Sequence, residues 1–145
     1  MANVVPYAFP VELLSGTHNF ASNTFKLALY TSSPYTTAST VYDATNETTG
    51  TEYSAGGNTL SGNAVSNVAN YATVDFTDSV WGSPTPATFS AAFGALYNSS
   101  ASNKLIVVLD FGGTKSCSNG TFTVTFPSPT SGSPSGADAL LSIQS

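Results

Sequence analysis

The chain has 145 residues, of which 41% are hydrophobic and only 8% are charged, and its formal net charge is −5. Only three residues are Lys or Arg, so the chain lacks the cations that displace counterions from phosphates, which argues against nucleic-acid binding. The same shortage disfavours an anionic membrane surface, and the central apolar run at residues 105–109 is far shorter than the roughly 20 residues of a membrane span.

Polar character is carried mainly by Ser, Thr and Asn, whereas helices normally place Glu, Lys, Arg and Gln on their wet faces. This composition predicts an all-β protein, and the length is that of one domain with a proper hydrophobic core. The single cysteine, Cys117, cannot form an intramolecular disulfide. Its Ser/Asn/Gly-rich surroundings predict a surface or half-buried thiol without chemistry of its own.

The N-terminal segment, residues 1–10, holds two prolines and several apolar residues, which predicts an extended arm. Such an arm either packs on its own domain or docks on a neighbour, and residues 11–145 are predicted to form a single domain. Residues 11–14 predict one helical turn that ends at Gly16. The first residues lack the basic-then-apolar layout of a signal peptide, so we expect synthesis in a cytoplasm.

Alternation of apolar and polar residues predicts strands along most of the chain. They are expected at residues 23–30, 59–60, 64–68, 71–77, 79–81, 89–97, 121–127 and 139–144. The alanines of residues 89–97 leave a helix as the competing interpretation there. The run at residues 105–109 does not alternate, which predicts a central strand buried on both faces and closed by Gly112 and Gly113.

Three segments are interpreted as turns or loops. Residues 31–51 predict a long loop with a short strand at 40–43, residues 55–58 predict a hairpin turn, and the Pro/Ser/Gly-rich residues 127–137 predict another loop. About eight strands without covering helices predict an antiparallel β-sandwich of jelly-roll-like form. Strand spacing alone leaves immunoglobulin-like topology open as well.

The sequence offers little that points to catalysis. His18 is the one histidine and has no partner close in sequence, so we interpret it as a turn residue that bonds backbone groups. The acidic pairs Asp43 with Glu47 and Asp75 with Asp78 are interpreted as turn caps, because no spacing typical of a cation site is present. We therefore predict no catalytic, metal-binding or cofactor-binding residues and no enzymatic activity.

Several motifs, taken in chain order, resemble those of a family of small tailed-bacteriophage proteins. They are Gly16-Thr17-His18-Asn19-Phe20, Thr24-Phe25-Lys26-Leu27-Ala28-Leu29-Tyr30, Glu52-Tyr53-Ser54-Ala55-Gly56-Gly57-Asn58-Thr59-Leu60, Asp75-Phe76, Trp81, Ala95-Leu96-Tyr97-Asn98, Asp110-Phe111-Gly112-Gly113 and Thr121-Phe122-Thr123-Val124-Thr125-Phe126-Pro127. The resemblance implies a virion component on the head exterior, a decoration or cement protein. Such proteins are commonly homotrimers seated where subunits of the major capsid protein meet.

Four residues near the N-terminus form the predicted partner interface, because this segment is more apolar than a strand requires: Tyr7, Phe9, Leu13 and Leu14. The alternative function is a tail-fibre or a receptor- or carbohydrate-binding module. It would use the Tyr- and Thr-rich loop of residues 31–51 as its binding face, with Tyr35 and Tyr42 as candidate contacts.

Overall fold

The computed structural model describes residues 3–68, 70–127 and 140–144. Within these ranges the chain forms one helix, α1, at Ala8–Leu14, and otherwise strands joined by turns. The strands are β1 (Phe25–Tyr30), β2 (Asn58–Thr59), β3 (Ala64–Val68), β4 (Tyr71–Asp75), β5 (Ser79–Trp81), β6 (Ala87–Asn98), β7 (Lys104–Gly120), β8 (Phe122–Val124) and β9 (Leu141–Gln144).

All strand pairs in the described ranges are antiparallel, and they form three sheets. The largest has the order β2-β1-β6-β7, the second β3-β4-β9, and the smallest pairs β5 with β8. The all-β prediction is confirmed, as is the choice of strand over helix at residues 89–97, which lie inside β6. The predicted loop at residues 127–137 lies outside the described residues except for Pro127.

One hydrophobic core is shared by all three sheets. The large sheet contributes side chains that are at most 2% exposed, including those of Phe25, Leu27 and Ile106. The two smaller sheets and the strand ends next to them supply Val74, Phe76, Trp81, Phe122, Val124 and Phe126, and α1 and the loops add Phe9, Phe20 and Leu60. This shared core fixes the three sheets relative to one another, because each would otherwise leave an apolar face in water.

The opposite face of the large sheet is covered too. Ala28 and Tyr30 lie on the opposite face of β1 from Phe25, Leu27 and Leu29, and both side chains are fully buried. They belong to a second apolar cluster with Tyr35, Val108 and other residues, which the 31–51 loop and the N-terminal segment help to cover. The hydroxyl-rich loop of residues 31–51 therefore covers part of this face of the large sheet.

The apolar run of residues 105–109 lies in an edge strand, so the predicted central position is wrong. Among the residues that the structure describes, β7 pairs with a strand, β6, on one side only, and Val4 covers part of its other edge. The Val4 N–H donates to the Val108 carbonyl at 2.9 Å, and the Val108 N–H donates to the Val4 carbonyl at 2.8 Å. Burial on both faces thus comes from the loop and the core, and the N-terminal segment closes the edge.

Gly112 and Gly113 do not end β7 as the sequence predicted. Phe93 pairs with Asp110 and Ala91 pairs with Lys115, so β6 advances two residues while β7 advances five. The extra residues of β7 form a bulge, and the two glycines within it have φ of +70° and +124°. Glycine adopts such angles without steric cost, so the strand bends here and then continues to Gly120.

The turn at residues 55–58 is not a hairpin between neighbouring strands. β2 follows it but pairs with β1, where Lys26 is opposite Thr59 and Leu27 is opposite Asn58. The expected strand at residues 40–43 is reduced to a single bridge between Val41 and Lys104. Both segments are instead held by side-chain hydrogen bonds, described below.

Candidate functional site: the outward face of the N-terminal helix

The helix α1 begins at Ala8, three residues before the predicted turn, with Pro10 in its first turn, where a missing N–H is tolerated. It ends at Leu14, and the predicted stop, Gly16, follows the C-cap Ser15 with φ of +76°. The Gly16 N–H donates to the Leu13 carbonyl at 3.2 Å and the Thr17 N–H donates to the Glu12 carbonyl at 2.9 Å. This pair of bonds is a Schellman motif, so a short helix has a firm C-terminal end.

The two sides of α1 differ sharply in exposure. Phe9, which is 3% exposed, and the partly buried Leu13 pack into the core. Tyr7, Val11 and Leu14 point the other way and are 76%, 68% and 91% exposed. Their spacing of four and then three residues places them along one helical face. We call these three residues the α1 face.

The predicted interface residues therefore do not share one surface. Tyr7 and Leu14 are available to a partner, whereas the core occupies Phe9 and takes up much of Leu13. The reason is the helical period, which places residues 9 and 13 on the side of α1 opposite residues 7 and 14. Val11 was missed, although its position between Tyr7 and Leu14 was readable from the sequence once a longer helix was assumed.

Glu12 anchors α1 to the large sheet. Its Oε1 accepts from Lys104 Nζ at 2.5 Å and its Oε2 lies 3.1 Å from His18 Nε2, with the Glu12 side chain 12% exposed. Burial acts to raise the pKa of the Glu12 carboxyl, but hydrogen bonds from Lys104 and His18 outweigh it and lower the pKa. The helix is therefore held by a charged contact between residues 92 positions apart.

His18 lies in the interior and bonds side chains rather than backbone, which corrects its interpretation as a turn residue. Its Nδ1 lies 3.1 Å from Asn98 Nδ2, an amide that also donates to Asn23 Oδ1 at 2.8 Å. The Ser100 N–H donates to Asn98 Oδ1 at 3.0 Å, which fixes the amide orientation. Asn98 Nδ2 is thus a donor, so His18 Nδ1 accepts and His18 Nε2 donates to Glu12.

A second polar network, centred on Glu47, orders the loop of residues 31–51 and the turn after it. Glu47 Oε1 accepts from Tyr53 Oη and from the Gly56 N–H, both at 2.7 Å, and Oε2 accepts from Tyr42 Oη at 2.5 Å. Tyr97 Oη donates to the Gly56 carbonyl at 2.7 Å. The interpretation of Glu47 as a turn cap is therefore incomplete, because its carboxylate accepts hydrogen bonds from Tyr42, Tyr53 and the Gly56 N–H.

A third set of hydroxyl groups fixes the start of the loop. Tyr30 Oη and Tyr35 Oη are 2.7 Å apart, and Tyr30 Oη donates to the Asp43 carbonyl at 2.7 Å. The Asp43 N–H donates to Tyr35 Oη at 2.9 Å. Tyr35 is only 4% exposed, so its ring packs in the interior and does not contribute to an outward binding face.

Stability is expected to fall at alkaline pH because of these tyrosines. Burial raises the pKa of Tyr97 to about 12, and burial also raises the pKa values of Tyr30, Tyr42 and Tyr53 above the ordinary value near 10. The native state therefore retains protons that the unfolded chain loses, so their contribution is complete below about pH 10 and declines above it. Denaturant unfolding at pH 8 and pH 11 measures the loss.

The Tyr53→Phe variant should lose less stability between these two pH values than the unmodified chain, because one titrating hydroxyl is gone. Tyr7→Phe is the matched control, since that side chain is 76% exposed, and its pH dependence should equal that of the unmodified chain. Equal unfolding free energies at pH 8 and pH 11 for the unmodified chain would contradict this explanation.

Two of the remaining acidic residues accept local backbone N–H groups, as expected of turn caps: Asp43 from Thr45 and Asp75 from Phe76, both at 2.8 Å. The interpretation of Asp78 as a turn cap was wrong, because it accepts at 2.9 Å from the N–H of Phe126, 48 positions along the chain. Cys117 is a half-buried free thiol, as predicted. In the described ranges no group of three or more His, Cys, Asp or Glu side chains could hold a metal ion, and no helix is long and apolar enough to cross a membrane.

A scan against protein-family models, a search of curated proteins and a search of solved structures each found no match. The described residues, with their antiparallel sheets and one short helix, define the class as an all-β protein.

Proposed function

We propose that this chain is a structural protein of a tailed-bacteriophage virion, a head decoration or cement protein that binds the outside of the capsid. In this proposal it clamps adjacent subunits of the major capsid protein, forms a homotrimer and has no catalytic role. It is made in the host cytoplasm and resides on the head exterior. The support from the sequence is the resemblance of its strand and turn motifs to that family.

The observation that carries the proposal is the α1 face. Three large side chains there are more than two-thirds exposed, while Glu12 and a Schellman motif hold the same helix rigidly in place. Burying one such side chain against a partner is worth about 1.5–3 kcal/mol, and a preformed helix loses little entropy on docking. Binding only to the assembled shell would stabilise that shell by mass action.

The finer description of the fold belongs to the same proposal. We propose that the three sheets form a sandwich of jelly-roll type, with β2-β1-β6-β7 as one layer and the two smaller sheets as the other. The shared core supports this arrangement, since Leu27 of the first layer and Val74 and Trp81 of the second belong to one cluster. An experimental structure of the particle-bound chain tests both the layers and the trimer.

A Val11→Ser, Leu14→Ser double variant should bind capsids at least about a hundredfold more weakly, because each replacement removes an apolar contact worth about 1.4 kcal/mol or more, which is about tenfold in affinity. Sedimentation of purified particles with the added chain measures the binding. Val80→Ser is the matched control, since Val80 is a 43% exposed valine on β5, and its binding should be unchanged.

Particle stability gives a second measurement. Decorated particles should resist heat and osmotic shock better than bare particles, and the double variant should give little protection. Equal resistance with and without the chain, or a bound chain imaged on the tail rather than on the head, would overturn the proposal.

A further inference from the structure

A groove of about 430 Å³ lies between the C-terminal end of α1 and the sheet β3-β4-β9. One wall is formed by Leu13, Gly16 and the segment of residues 18–21, and the other by side chains from all three strands. Among the described residues that line the groove, none is Asp, Glu, Lys or Arg. We call this surface the β4 groove.

The sheet wall of the β4 groove is an apolar face that the core covers only in part. Val65 pairs with Val74 and Val74 pairs with Leu141, so the three side chains form one row across the sheet. Ala72 pairs with Ile143 in the next row on the same face. Val74 is 7% exposed, whereas Val65 and Ile143 are 55% and 53% exposed. The apolar face therefore continues from the core out into water.

Exposed apolar side chains are concentrated around this groove. Of the eight large hydrophobic side chains that are exposed in the described ranges, three form the α1 face and two, Val65 and Ile143, line the groove. α1 joins the two surfaces, because Leu14 of the α1 face directly follows Leu13 of the groove wall. Single exposed hydrophobic residues are ordinary, but a contiguous apolar patch marks an interaction site.

The size of a stable protein interface indicates what occupies the groove. Such an interface buries about 800 Å² on each partner. Even an aromatic side chain buries only about 150–250 Å², so the three side chains of the α1 face are too few to form one alone. A partner that docks on the α1 face therefore has to cover neighbouring surface as well, and the β4 groove is apolar surface that α1 itself adjoins.

We propose that the β4 groove holds a protruding, uncharged apolar segment of the same capsid subunit that docks on the α1 face. This inference rests on the proposed function and extends its contact from α1 to the sheet β3-β4-β9. A charged segment would lose its water in the groove without gaining an opposite charge. A small apolar ligand would stay largely in water, because the groove is open at the half-exposed Val65 and Ile143, whereas ligand pockets bury most of such a molecule.

A Val65→Ser, Ile143→Ser double variant should bind purified capsids at least about tenfold more weakly, because both positions lose an apolar contact. Ala72→Lys should weaken binding too, since it places an ammonium in the groove at an exposed residue and removes no side-chain contact of the fold. Val80→Ser and Thr59→Lys, at exposed residues on β5 and β2, are the matched controls and should bind like the unmodified chain. Should the double variant fail to fold, Ala72→Lys decides the question.

Photo-crosslinking identifies the occupant of the groove. An Ala72→Cys, Cys117→Ser chain can be labelled with a benzophenone maleimide at residue 72 alone, because Cys117 is the one natural cysteine. Irradiation on purified capsids should join the label to the major capsid protein. A crosslink to a second copy of this chain, or to another part of the same chain, would overturn the inference.

The outcomes separate this inference from the capsid proposal. Unchanged capsid binding in both Ala72→Lys and the Val65→Ser, Ile143→Ser variant, together with weak binding of the α1-face double variant, would overturn the inference and leave the capsid proposal intact. An unmodified chain that does not bind capsids would overturn both.

Discussion

Replacing Gly57 with alanine is expected to cost more than about 4 kcal/mol of the free energy of unfolding, a large part of the roughly 5–15 kcal/mol that an ordinary domain has. Gly57 has φ of +69°, and a Cβ there would overlap the Leu27 carbonyl oxygen and lie 2.6 Å from Ala28 Cα. Both obstacles are backbone atoms of β1, whose Leu27 and Ala28 side chains are fully buried. The clash can be relieved only by separating the turn from β1.

Gly112→Ala is the matched control for this prediction. Gly112 has nearly the same φ, +70°, but a Cβ there would meet nothing within 4 Å. Its cost should be that of the left-handed conformation alone, about 1–2 kcal/mol. Denaturant unfolding of the two variants separates strain from close approach. Similar losses in both would show that the turn moves away from β1 easily.

The strand predictions succeeded where one face of a strand is buried and the other is wet. β8 is such a case, since Phe122 and Val124 are buried while Thr123 between them is exposed. A period of two residues records this difference directly in the sequence. It does not reveal strands that are covered on both faces, such as β1, where Leu27 and Leu29 are buried on one face and Ala28 and Tyr30 on the other.

The position of β7 in its sheet was beyond local reasoning for a related reason. An apolar run shows that both faces are buried but not which elements cover them. Here one cover is the 31–51 loop, through Tyr35, and the edge is closed by Val4, more than one hundred residues away from Val108. The sequence pattern of neither segment shows which strand it will cover. A strand at the edge of a sheet and a strand in its centre therefore look alike in the sequence.

The candidate site was predicted in part. An apolar N-terminal segment was evident, but deciding which of its residues face outward needed the extent of the helix and the position of the core. Phe9 was assigned to a partner because its own partners, among them His18 and Phe20, are visible only in the folded chain. The expectation that His18 has no partner close in sequence was wrong, because Glu12 lies six residues before it, whereas the contact of Glu12 with Lys104 is visible only in the folded chain.

Glu12→Gln is expected to lower the free energy of unfolding by about 2 kcal/mol at pH 7. Removing one member of a fully buried ion pair costs about 3–5 kcal/mol, but the Lys104 side chain is 32% exposed, so water compensates for part of the loss. The hydrogen bond to His18, whose side chain is fully buried, has no such compensation. Glu52→Gln, at an exposed residue, is the matched control and should change stability by less than about 0.5 kcal/mol.

The free energy of unfolding measured at acidic pH shows whether Glu12 holds α1 by its charge or only by packing. Because folding lowers the pKa of Glu12, its contribution is complete above the unfolded value near 4.3 and is lost as pH falls through the folded value. The difference between the unmodified chain and Glu12→Gln, measured by denaturant unfolding, should therefore be largest near neutral pH and shrink below about pH 4. A difference that stays constant down to pH 3 would mean that Glu12 holds α1 by its shape, and the rigidity of the α1 face would then not depend on charge.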